Sequence, residues 1–111
     1  MEEDVVLCGA SVYTKKFYIN ENFEELPQAI KDELKILCVL HTEEVGGTIQ
    51  LIFDEEGSLR VQTDAKESDL LFDEIGAALK VKDYQIKKRE LFESLETYFR
   101  VVVLGEGFEE D

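Results

Sequence analysis

Three residues carry most of the chemistry this chain could perform: Cys8, Cys38 and His41. Cys38 and His41 stand three apart, one turn of a helix, with Glu44 another three residues on, and Cys8 could approach from a neighbouring strand. A thiol beside an imidazole can act as an activated nucleophile, and two thiols with an imidazole supply three of the four ligands of a zinc site. Against that, there is no Cys-x-x-Cys pair and His41 is the sole histidine, so the fourth ligand would have to be an unplaced carboxylate. Cysteine and histidine on a core-facing stripe are usually just buried, and we expect that here, with free thiols and no cofactor or metal.

The second feature is electrostatic. Residues 80–89 contain Lys80, Lys82, Lys87, Lys88 and Arg89 against Asp83 alone, so this stretch carries +4 and the rest of the chain −18. With Tyr84 and Ile86 as apolar anchors, it could dock an acidic protein or a phosphorylated ligand. The competing reading is a solvated helix face whose cations pair with nearby glutamates.

Other patterns carry less. The acidic clusters Asp54-Glu55-Glu56, Asp64 to Asp69 and Asp73-Glu74 lack the alternating ligands of an EF-hand loop, and the first reads better as a hairpin turn. Gly46-Gly47 and Gly105-Glu106-Gly107 are too short to cradle a phosphate, and there is no G-x-S-x-G elbow.

Elements that would position these residues follow from periodicity. Val5–Gly9 and Lys16–Asn20 read as two short strands around a loop. A helix over about residues 26–45 opens near Pro27, places Ile30, Leu34, Leu37, Cys38 and His41 on one face, and ends at Gly46-Gly47. The run Ile36-Leu37-Cys38-Val39-Leu40 also admits a buried strand, which length and capping disfavour. Thr48–Phe53 and Leu59–Thr63 alternate apolar with polar residues around Asp54-Glu55-Glu56-Gly57, a second hairpin. Residues 69–103 read as helical behind Ser68, with Leu91, Phe92, Leu95, Tyr98, Phe99 and Val102 on one face. Unbroken, that rod would span about 50 Å, so we expect a break near residues 76–84; a projecting rod would instead imply dimerisation.

With 111 residues, 44% of them hydrophobic and a single proline, the chain suits one folded domain. We expect an α+β domain over residues 1–104, an antiparallel sheet of about four strands from two hairpins covered by helix one and the C-terminal helical segment. Residues 105–111 should form a flexible acidic tail. A net charge of −14 disfavours nucleic acid and anionic membrane, and no apolar run approaches the length of a membrane helix. Met1-Glu2-Glu3-Asp4 has neither the basic nor the apolar region of a secretory signal, which leads us to expect a cytoplasmic protein.

The runs Leu7-Cys8-Gly9-Ala10, Cys38-Val39-Leu40 with Glu43-Glu44-Val45-Gly46-Gly47, and Asp73-Glu74-Ile75-Gly76 with Leu91-Phe92-Glu93-Ser94-Leu95-Glu96 resemble a family of small acidic uncharacterised proteins of anaerobic Firmicutes. The resemblance implies a bacterial cytosolic protein and transfers no site. The leading expectation is a non-enzymatic interaction or adaptor protein, homodimeric, using the strip Lys80, Lys82, Tyr84, Lys87, Lys88 and Arg89. A small-ligand or anion-binding regulator with its pocket between sheet and helices comes second, and an enzyme third.

Overall fold

The computed structural model describes residues 4–105. Strands β1 (Val5–Ser11), β2 (Lys16–Ile19), β3 (Thr48–Phe53) and β4 (Leu59–Asp64) form an antiparallel sheet of order β2-β1-β3-β4. Both expected hairpins are present, and their pairing through β1 and β3 makes one sheet. The apolar run Val5-Val6-Leu7-Cys8 does not alternate, and the ladder absorbs this with a bulge: Val6 pairs Ile52 and Cys8 pairs Leu51, leaving Leu7 as the extra residue. Leu7 and Cys8 are both fully buried as a result.

Helix α1 (Gln28–Val45) crosses the buried face of the sheet with Leu34, Leu37, Cys38 and His41 inward. The strand reading of residues 36–40 is thereby excluded. Pro27 sits one position ahead of the helix, where its carbonyl accepts from Ile30 and Lys31 N–H. Gly46 ends it at a φ of 81°. Gly47 follows at a φ of 70°, and a Cβ there would fall on the Asp64 carbonyl oxygen and the Phe72 ring. Only glycine can turn the chain from helix to sheet at this point.

The C-terminal helical segment is two helices, α2 (Glu74–Lys87) and α3 (Arg89–Tyr98), followed by a π-helical turn over Phe99–Val103. The start and the break both differ from expectation. Asp73, not Ser68, caps the segment by accepting from Gly76 N–H at 2.8 Å, and Asp73 N–H is held by the Val45 carbonyl at 3.0 Å. Gly76 is therefore a capped first-turn residue and causes no break. The break falls at Lys88, because α2 packs along α1 while α3 must turn its Leu91, Phe92 and Leu95 into the core beside β4. Since α2 lies against α1, it is not a projecting rod.

Leu91, Phe92, Leu95 and Phe99 are buried as expected, in one cluster with Ile49, Leu51 and Phe53 of the sheet. Asp54 closes the β3–β4 turn, accepting from Glu56 and Ser58 N–H and from Arg60 Nε. Hydrogen bonding, led by the Ser58 amide, holds its carboxyl below the usual range. The expected tail lies, from residue 106 onward, outside the described residues.

Candidate functional site

Strand β1 and helix α1 bring Cys8 and Cys38 together, with their Sγ atoms 4.0 Å apart, both fully buried and unlinked. The S–H contact with Cys38, followed by burial, pushes the Cys8 thiol well above its ordinary pKa. A thiol so held is a poor nucleophile at neutral pH. We expect both cysteines to resist iodoacetamide at pH 8 in the folded protein and to react fully in denaturant. Fast labelling of either, followed by mass spectrometry, would contradict this burial.

His41 does not join the cysteines. Its Nδ1 lies 2.8 Å from the Tyr84 hydroxyl, while its buried Nε2 has no hydrogen-bond partner among the described residues. Burial, aided by the charge of Lys80 and opposed by Glu44, lowers its pKa to about 4. Burial also pushes Tyr84 up to about 12, with Glu44 contributing. Near neutral pH the pair is a neutral imidazole on a neutral phenol. It serves as a fixed tie between α1 and α2, not as an acid–base couple poised to exchange protons. No group of three metal-ligating side chains assembles among the described residues.

The residues of the 80–89 strip are spread around α2. Lys80 pairs with Glu44, Tyr84 binds His41, and Lys88 reaches Glu33 at 3.2 Å, so these three face α1. Lys87 pairs with Asp83 at 3.5 Å along the helix. Lys82 and Arg89 are exposed. Tyr84 is a half-buried packing residue, not an exposed anchor.

What faces outward on α2 is a second apolar stripe. Ile75, Leu79 and Ile86 are 75%, 64% and 70% exposed, at the spacing i, i+4, i+11, opposite Ala77 and Tyr84. Leu70 and Leu71, just ahead of the helix, are 94% and 92% exposed. Ile75, Leu79 and Lys82 line a shallow depression of about 320 Å³ with Glu74 and Ala78. Ile86 could be singled out in the sequence, but Ile75 and Leu79 were masked there by a helix that is apolar on two sides.

A larger cleft lies elsewhere, between the β1–β2 loop and α1. It measures about 630 Å³ and is walled by Ser11, Lys15, Lys16, Phe17, Lys35 and Val39, among others. Lys15 and Lys16 are adjacent in the chain but Lys35 is remote, so sequence spacing alone could not find this group.

No curated protein and no solved structure matches the chain. A family model does, over residues 4–107, a span that takes in every element from β1 to the turn after α3. The chain therefore belongs to that family, DUF6145, a family of unknown function.

Proposed function

We propose that this is a non-enzymatic, cytoplasmic bacterial interaction protein that works as a homodimer joined through the outer face of α2. The observation that carries the reading is the stripe Ile75, Leu79 and Ile86, with Leu70 and Leu71 beside it, all exposed. Scattered apolar residues on a surface need no explanation, but five large ones along and just ahead of one helix exceed what a monomer ordinarily leaves in water.

Charge identifies a second copy as the occupant. The N-terminal end of α2 is acidic, with Asp69, Asp73 and Glu74, and its C-terminal end is basic, with Lys87, Lys88 and Arg89. An antiparallel two-fold pairing sets Ile75 against the second copy's Ile86 and Leu79 beside its Lys82. The same pairing brings Glu74 to Lys87, so each acidic end meets a basic one. A parallel pairing would stack like charges. In this reading Lys82, Lys87 and Arg89 are the charged rim of the dimer contact.

Sedimentation velocity at micromolar concentration should give twice the chain mass. The Ile75→Lys/Leu79→Lys double variant should keep its circular dichroism spectrum and sediment as a monomer, since both side chains are exposed. A monomeric wild type, or a variant that remains dimeric, would overturn the reading.

A further inference from the structure

The cleft between the β1–β2 loop and α1 has a composition at odds with the molecule around it. In a chain of net charge −14, it gathers Lys15, Lys16 and Lys35 against one carboxylate, Glu43. Among the described residues none of these three lysines has a carboxylate within ion-pair distance, whereas Lys80, Lys87 and Lys88 all do. Ammonium groups gathered without counter-charges repel one another, and an anion between them relieves that repulsion.

Lys15 comes from the β1–β2 loop, Lys16 from the start of β2 and Lys35 from α1, and the loop holds its member in a defined geometry. Lys15 has a φ of 57°, a left-handed conformation uncommon for a side chain that is neither glycine nor asparagine. It is held there by its N–H on the Ser11 carbonyl at 2.8 Å. Ser11 Oγ accepts from the N–H groups of Tyr13 and Thr14, which leaves its own proton free to donate. Ser11 lines the cleft, so a hydroxyl donor accompanies the three cations.

We propose that this cleft binds a small phosphorylated organic ligand bearing at least two negative charges and a compact apolar or aromatic body. Lysines suit phosphate because they act as point charges and do not require the planar, bidentate geometry that favours arginine for carboxylates. Two or more charges are needed to match the three ammonium groups of Lys15, Lys16 and Lys35, whose close-range attraction grows with the charge of the ligand. The body is required by Phe17 and Val39 with Ala10 and Val12, the apolar part of a wall that Thr42 and Glu43 complete. The volume of about 630 Å³ matches a ligand of mononucleotide size.

The test is a ¹H–¹⁵N titration of the full chain with pyrophosphate, with adenosine diphosphate and with citrate, repeated on the Lys15→Gln/Lys35→Gln variant. Amides of Ser11–Phe17 and of Lys35–Glu43 should shift with adenosine diphosphate at Kd below about 1 mM, more weakly with pyrophosphate, and at least tenfold more weakly again in the variant. Three results would overturn the proposal: no saturable shift with any probe, shifts unaffected by the variant, or shifts centred on α2. Citrate binding as tightly as adenosine diphosphate would overturn the phosphate assignment, and pyrophosphate binding equally well would overturn the role given to the apolar wall. A folded variant spectrum keeps every arm interpretable, since both lysines are exposed.

Discussion

Replacing Phe99 by alanine should cost about 4 kcal/mol of folding stability, within the range for deleting a buried aromatic ring. Phe99 is 1% exposed and stacks on Phe53 with ring centroids 4.2 Å apart and planes within 8°; Phe23 lies 6.3 Å from it. The three rings join the turn after α3, the central strand β3 and the turn ahead of α1. Their loss would leave a cavity bounded by elements remote in sequence, where collapse to refill it is hardest. For a domain whose total stability is on the order of 5–15 kcal/mol, the variant should be partly unfolded near body temperature. Urea melts followed by circular dichroism would measure the loss, with Val102→Ala, at an exposed position of the same turn, as a control expected within about 0.5 kcal/mol of wild type. A cost below about 1.5 kcal/mol for Phe99→Ala would mean that the C-terminal turn is not docked on the sheet.

The second large effect is a pH dependence assigned to one residue. His41 is the sole histidine, so its imidazole C–H resonances are assigned without ambiguity once His-selective labelling separates them from the Phe and Tyr rings, and they should titrate with a pKa near 4. An unfolded histidine titrates near 6.5, so between those values the unfolded chain binds a proton that the folded chain refuses. Stability is therefore fully present above about pH 6.5 and falls as the pH drops toward 4, by roughly 3 kcal/mol from this group. The groups facing the imidazole are Tyr84, Lys80 and Glu44, and two of them give a check on sign. Lys80→Met should raise the His41 pKa and Glu44→Gln should lower it. The His41→Gln variant should lose the corresponding slope in a plot of stability against pH. A histidine titrating at 6 or above would show that the ring is hydrated and its tie to Tyr84 open.

Much of the architecture was legible in residue order. The alternation of Ile49, Leu51 and Phe53 around Asp54-Glu55-Glu56-Gly57 specifies a hairpin with one buried face, and all three side chains are fully buried. The four-residue spacing from Ile30 and Leu34 to Cys38 specifies a helix ended by two glycines. Likewise Leu91, Phe92, Leu95 and Phe99 announce a core-facing stripe. The break falls at Lys88 and not within residues 76–84, because the weak helix propensity of glycine counts little at Gly76, in a first turn capped by Asp73. Charge density along the chain places Tyr84 in an exposed strip but says nothing about which way each side chain points, and packing turns it inward.

Local periodicity thus determined, without help, the second hairpin, the helix over residues 28–45 and the apolar face of the last helix. Each depends on neighbours within a turn or a strand, and a side-chain period of 2 or 3.6 survives any tertiary arrangement. Only the tertiary structure decided which of the two apolar sides of α2 is buried, since the side of Ala77 and Tyr84 and the side of Ile75, Leu79 and Ile86 satisfy the same helical period. Packing against α1 chose the first, where His41, Glu44 and Glu33 stand ready for Tyr84, Lys80 and Lys88. Assembly of Lys15 and Lys16 with Lys35 likewise waited on the hairpin meeting the helix, because a cleft is made by surfaces whose residues are distant in the chain, and no local pattern records how two surfaces meet.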